Sequence, residues 1–172
     1  QLAAACGRAS LPAPSIGLYR DLAVSVDRGG AEAWTYQRCY ALGASVGAPP
    51  DDFNLFGQDW GIAPWIPSRL ADAAYEPLIA ILRANMRHAG ALRIDHVMGL
   101  RRLFWIPVGG VPADGAYVDY PLHALLGIVA LESQRNRCLI IGEDLGTVPD
   151  DVRTALNDAG VLSYDVFYFE RR

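Results

Sequence analysis

The apolar positions of the chain change period along its length, and the changes mark its elements. From Pro77 onward, Leu78, Ile81, Leu82, Asn85, Met86 and Ala89 recur at spacings of three and four, which predicts a helix that Gly90 ends. Leu122, Leu125, Leu126 and Val129 repeat the stripe behind Pro121 and predict a second helix to about Asn136. Pro149 opens a third, running through Asn157, that Gly160 can close. Short apolar runs stand between these helices, at 91–94, 138–141 and 161–170, and a mixed run at 16–27 enters a Gly-Gly loop; all four read as strands. Asp27, just before Gly29, reads as a turn residue or helix cap. Alternation of strand and helix predicts an α/β fold with a parallel sheet, and four such strands with their helices amount to part of a (β/α)8 TIM barrel.

Residues 43–67 break both periods. Their Gly, Pro, Asp and Asn content argues against helix and central strand alike, so one long loop is expected there. Loops of this length in compact domains usually serve a function. This one carries Phe53, Phe56, Trp60 and Trp65 beside Gln58 and Asp59. Rings flanked by polar groups suit flat, hydroxylated ligands that stack and hydrogen-bond at their edges. The competing use is aromatics that staple the loop to the core.

Chemistry is concentrated where two of the apolar runs give out. In Ala91-Leu92-Arg93-Ile94-Asp95-His96-Val97, strand alternation puts Arg93 and Asp95 on one face and leaves Leu92, Ile94 and Val97 for packing. Opposite charges sharing a face at a strand end read as a site, with Arg93 as the counter-charge of Asp95. The run 138–141 likewise ends in Gly142-Glu143-Asp144, and Asp144 reads as a helix cap. The two carboxylates are 143 − 95 = 48 residues apart, about one strand-helix-strand step with a long loop added. Parallel strands bring successive C-terminal ends to one side of a sheet, the side on which barrel active sites sit, so Asp95 and Glu143 are expected to be neighbours. A facing carboxylate pair is what glycosidic-bond chemistry requires.

Composition narrows the partners. A chain that is 52% hydrophobic and 20% charged can bury a core as one globular unit. A net charge of −4 argues against nucleic acid. All 15 basic residues are Arg, which reads as a compositional bias of the source. Cys6, Cys39 and Cys138 lack the spacing of a disulfide framework or a zinc site, so no metal is expected and a reducing, cytoplasmic setting fits. No apolar run approaches the ~18 residues of a membrane span, and no membrane partner is expected. The chain starts at Gln1 without an initiator Met, as a piece of something longer would.

Four motifs, Arg93-Ile94-Asp95-His96, Gly142-Glu143-Asp144-Leu145-Gly146, Pro49-Pro50-Asp51-Asp52-Phe53 and Gly57-Gln58-Asp59-Trp60-Gly61, occur in an order that resembles the 4-α-glucanotransferases, or amylomaltases, of glycoside hydrolase family 77. The resemblance covers essentially the whole chain. It implies that Asp95 is the nucleophile and Glu143 the general acid/base, that Arg93 supports the nucleophile, and that no cofactor is used. It also implies that Asp51, Phe53, Gln58 and Trp60 belong to a mobile loop over the acceptor side of the cleft, and it places Asp21 among the substrate contacts. His96 is carried over as a substrate contact or a structural hydrogen-bonder. The implied activity is retaining double displacement between maltooligosaccharides or other α-1,4-glucans. The family's third catalytic carboxylate and first two barrel strands have no counterpart in residues 1–172, so the chain is expected to be a central barrel fragment, inactive alone, that self-associates through open edges at 16–26 and 161–170. Two rival readings are a metal-dependent hydrolase on the same barrel and a non-catalytic carbohydrate-binding module.

Overall fold

A computed structural model describes residues 1–9, 16–52, 54–145 and 148–163. In chain order its elements are α1 (Leu2–Ala9), β1 (Tyr19–Leu22), β2 (Val26–Asp27), α2 (Ala31–Thr35), β3 (Ala44–Ala48), β4 (Gln58–Asp59), β5 (Ile62–Ala63), α3 (Pro67–Asp72), α4 (Glu76–Met86), β6 (Ala91–Ile94), β7 (Arg102–Pro107), β8 (Ala116–Asp119), α5 (Leu122–Asn136), β9 (Leu139–Gly142) and α6 (Asp150–Asp158). They divide between two compact units: Gln1–Val24, Ile79–Met98 and Leu122–Arg172 form the first, Ser25–Leu78 and Gly99–Pro121 the second.

The first unit is built on a parallel sheet of order β1-β6-β9. Its register runs from Tyr19↔Ala91 to Leu22↔Ile94 and from Ala91↔Leu139 to Ile94↔Gly142. Leu162 bridges Ile141 in parallel, continuing the alternation. Central parallel strands read as apolar runs because both faces are covered. In β6 this holds for Ala91, Leu92 and Ile94, all buried, and fails only at Arg93. The helical stripes predicted from the sequence are buried too, through Leu82 and Met86 on α4 and Leu122, Leu125, Leu126 and Val129 on α5. Gly90 enters β6 in a place no side chain could occupy, since a Cβ would stand 1.4 Å from the Ile16 carbonyl oxygen.

The second unit pairs β2 with β5 and builds an antiparallel sheet of order β4-β3-β7-β8. Here two expectations fail. Residues 43–67 are not one loop, because β3 lies in the middle of this sheet and β4 and β5 follow it. Small residues permit the strand: a Cβ on Gly47 would stand 1.9 Å from the Gln58 carbonyl oxygen, so glycine lets β4 close on β3. The run 16–27 is likewise two strands, β1 in the first unit and β2 in the second. Asp27 is a turn residue, its carboxylate accepting the Gly29 N–H at 2.6 Å.

The hairpin β7-β8 was hidden in the sequence by Pro107, Gly109, Gly110, Pro112 and Gly115, which punctuate it as loop. Gly115 is needed beneath Phe104, whose ring would lie 2.4 Å from a Cβ at that position. Tyr40 stacks on Trp65 at 4.0 Å in the core of this unit, so Trp65 does the stapling work. The fold is thus α/β with mixed sheets, and the described parallel strands number three plus the Leu162 bridge where four full strands were expected. Residues 164–170 of the last expected strand lie outside the described residues, as does Phe53.

Candidate active site

Strands β6 and β9 end side by side, with Ile94 opposite Gly142, and the next residue on each is acidic: Asp95 and Glu143. Main-chain bonds carry the pairing past the strand ends. The Asp95 N–H donates to the Leu22 carbonyl at 2.9 Å, the Glu143 N–H to the Ile94 carbonyl at 2.9 Å, and the Val97 N–H to the Glu143 carbonyl at 2.9 Å. Both carboxylates therefore leave a rigid edge, which is what a site requiring sub-ångström placement needs.

Arg93 projects from the same face as Asp95, as alternation predicts, and its guanidinium spans two acids. One terminal nitrogen donates to Asp21 Oδ1 at 2.8 Å and the other lies 2.7 Å from Asp95 Oδ1. Asp21 reaches this position because it is the register partner of Arg93 across β1-β6. Its carboxylate is committed to the arginine, a role the sequence did not reveal because β1 and β6 pair over a separation of 72 residues. The planar fork of Arg holds such a bridge with fixed geometry, which a lysine ammonium does not.

His96 turns the chain immediately after Asp95, with φ at +46°. Its N–H donates to Glu143 Oε2 at 3.0 Å, and the Leu145 N–H donates to Glu143 Oε1 at 3.0 Å. Leu145 is a participant the sequence reading missed, since a main-chain donor carries no residue-type signal. Burial pushes the His96 imidazole below the usual histidine range; the nearby Glu143 and Asp95 charges oppose the shift without cancelling it. Gly142 faces Val97, where a Cβ would stand 2.9 Å from a Val97 methyl.

Asp144 is not a helix cap. It is buried and paired with Arg153 of α6 at 3.2 Å, while α6 starts behind Pro149 with no side-chain capping bond. The backbone direction after Gly142 turns Glu143 and Asp144 to opposite tasks, one facing Asp95's neighbour His96 and the other bracing α6.

The remaining candidates belong to the second unit. Asp51 Oδ1 accepts the Asn54 N–H at 2.6 Å, closing a short turn. The Trp60 indole N–H donates to Gln58 Oε1 at 2.8 Å, so these two side chains are held as a pair. Behind them the Ser45 hydroxyl donates to Asp59, which also accepts the Gly61 N–H at 2.9 Å. The Ser45 bond, against a smaller opposing effect of burial, lowers the Asp59 pKa. Among the described residues no group of three His, Cys, Asp or Glu side chains is placed to hold a metal ion.

The whole chain, residues 1–172, matches the profile of glycoside hydrolase family 77, described as 4-alpha-glucanotransferase. It is 54% identical over 157 residues to a 4-alpha-glucanotransferase of Haemophilus influenzae, covering 91% of this chain and 22% of that protein. With the 4-alpha-glucanotransferase of Mycobacterium tuberculosis it shares 49% identity over 171 residues, 99% of this chain and 24% of that protein. The structure superposes on an amylomaltase of Corynebacterium glutamicum with a TM-score of 0.95 and 46% identity, over 99% of this chain and 24% of that one. An amylomaltase of Streptococcus agalactiae, solved in complex with acarbose, has a TM-score of 0.75 at 24% identity over 84% of this chain and 30% of that one, a likeness of fold alone. The chain thus spans about a quarter of the length of the relatives it matches most fully. With every residue inside the family profile, this chain belongs to the 4-alpha-glucanotransferase family, glycoside hydrolase family 77.

Proposed function

We propose that this chain supplies the nucleophile and the acid/base of a retaining 4-α-glucanotransferase, and that its parallel strands belong to a (β/α)8 barrel in the enzyme of full family length. The observation that carries the reading is the side-by-side exit of Asp95 and Glu143 from paired parallel strands. Neighbouring strands run about 4.8 Å apart. Retaining enzymes hold their two carboxyl groups roughly 5 Å apart, a separation within reach of side chains leaving adjacent strands.

In this reading Glu143 protonates the departing glucosyl oxygen while Asp95 attacks the anomeric carbon, forming a glycosyl ester. Arg93 keeps the attacking oxygen's neighbour tied, so one oxygen of Asp95 is held and the other is left to react. Glu143 then takes the proton of an acceptor 4-hydroxyl, which replaces water in the second displacement. Maltooligosaccharides and other α-1,4-glucans are the proposed donors and acceptors, with no cofactor. The Gln58–Trp60 pair, together with Asp51 and Phe53, is proposed to bind the acceptor, since a half-buried ring with a fixed amide beside it suits a sugar.

The test is a pair of substitutions in the enzyme of full family length that carries this chain. Asp95→Asn is expected to abolish glucosyl transfer between maltooligosaccharides with the fold intact, because an amide cannot form the ester. Glu143→Gln is expected to be rescued in part by donors whose leaving group needs no proton. Near-normal transfer by Asp95→Asn, after deamidation is ruled out by mass spectrometry, would refute the assignment.

A further inference from the structure

Left-handed backbone is costly for a residue with a Cβ, and where it occurs at a functional site the surroundings over-determine it. His96 adopts it, at φ +46°. Both sides of the turn are pinned: the Asp95 N–H is bonded to Leu22, and Val97, 1% exposed, is bonded to the Glu143 carbonyl. The bend directs the His96 N–H at the Glu143 carboxylate, which it meets at Oε2, while the Leu145 N–H meets Oε1. Glu143 is therefore gripped at each oxygen by a main-chain donor, and the two donors come from the segments that follow β6 and β9.

We infer that His96 is a positioning residue for Glu143 that acts through its main-chain N–H, so that position 96 selects for tolerance of left-handed backbone. The inference rests on the reading of Glu143 as acid/base. Its consequence separates backbone from side chain. Asn and Gly tolerate left-handed conformations, Gln does so less readily, and a β-branched Val least of all. Likeness to imidazole in size and polarity ranks the same residues differently, with Gln and Asn ahead of Gly and Val.

The experiment is a series at this position, His96→Gly, His96→Asn, His96→Gln and His96→Val, in the enzyme of full family length. Each is assayed with a maltooligosaccharide donor and with a maltosyl fluoride, whose fluoride leaves without protonation. A misplaced acid costs up to about 100-fold in rate. The expected order of kcat on the natural donor is Gly and Asn above Gln, with Val lowest by about that factor, KM changing little. The deficit should shrink on the fluoride, as a loss of proton donation does and a loss of folded protein does not. A series in which Gln exceeds Gly and Asn would overturn the inference in favour of the side chain. Equal losses on both donors that follow Tm would overturn it in favour of a purely structural turn.

If Val or Gly fails to fold, the His96 amide proton decides: its NMR signal should move when Glu143→Gln removes the carboxylate, and a signal that stays put overturns the inference. Equal loss by Glu143→Gln on both donors would instead bring down the acid/base reading, and the inference with it. A flat His96 series beside a donor-dependent Glu143→Gln brings down the inference alone.

Discussion

At the scale of the residue, one guanidinium does the work of two partners. Arg93 holds Asp21 and Asp95 through different nitrogens, so a substitution that keeps the charge but loses the fork should fail to hold both. Arg93→Lys is expected to cost one charge-assisted hydrogen bond, about 1.5–3 kcal/mol, or roughly 10- to 100-fold in kcat/KM. Steady-state kinetics on a maltooligosaccharide, in the enzyme of full family length, would check it. His96 makes a second prediction, in pH. Its imidazole is depressed in the folded protein, mainly by burial, so below its unfolded value of about 6.5 the unfolded chain binds the proton more readily. The stabilisation that follows is complete above that pH and is lost as the pH falls toward the folded value. Denaturant titrations between pH 7.5 and 5 should therefore show falling stability, with a shallower slope in His96→Asn.

Much of this scale was legible in advance. The same-face placement of Arg93 and Asp95 follows from the period of a strand, as does the burial of Leu92 and Ile94 on the opposite face, whereas Val97, in the phase of Asp95, is buried because the chain turns at His96. What alternation could not disclose was the part played by Asp21 and Leu145. One depends on a pairing 72 residues away, and the other on an N–H that every residue except proline possesses.

At the scale of the element, glycine marks where strands touch. Gly142 precedes Glu143 and lies against Val97, a stiff β-branched neighbour. Gly142→Ala is expected to push Val97 away, costing about 1–3 kcal/mol in stability and displacing the turn that holds Glu143. Thermal denaturation together with the rate on a natural donor would test both halves. The glycines also explain the error at 43–67. A Gly- and Pro-rich stretch reads as loop because glycine weakens a strand, yet Gly47 is what allows β4 to approach β3. Composition records the weakness and is silent about the close contact. Within the same stretch, Trp60→Ala is expected to raise hydrolysis relative to transfer, because a loosened acceptor lets water compete. Product analysis of glucose released against chain-length redistribution would read the ratio.

At the scale of the whole molecule, β1 pairs with β6 on one side only among the described residues. A strand edge with unpaired main-chain groups is a template for another chain. The 172-residue chain by itself is accordingly expected to associate, and light scattering reporting a monodisperse monomer would refute this. The α/β alternation of the first unit was visible in the sequence because each helix and strand there is contiguous and regular in period. The second unit was not, because its larger sheet is assembled from two separate excursions, 25–78 and 99–121, that join where β3 pairs with β7.

That divided origin sets an order of events during synthesis. β3 pairs with β7 from Ala44↔Pro107 to Gly47↔Phe104, so the far end of the pairing is made 107 − 44 = 63 residues later. At about 5–20 residues per second, β3 waits roughly 3–13 s for its partner. Through that interval Val46, which ends fully buried, lacks the strand that pairs with it, Trp105 being its register partner on β7. The nascent chain thus passes through a stage in which an apolar strand is presented with one edge open, a natural binding stretch for a chaperone that recognises extended segments. Ribosome-arrested chains halted between the emergence of Asp59 and that of Arg102 should be the most readily cleaved by protease near 44–48, and resistance should appear once 102–107 has cleared the exit tunnel.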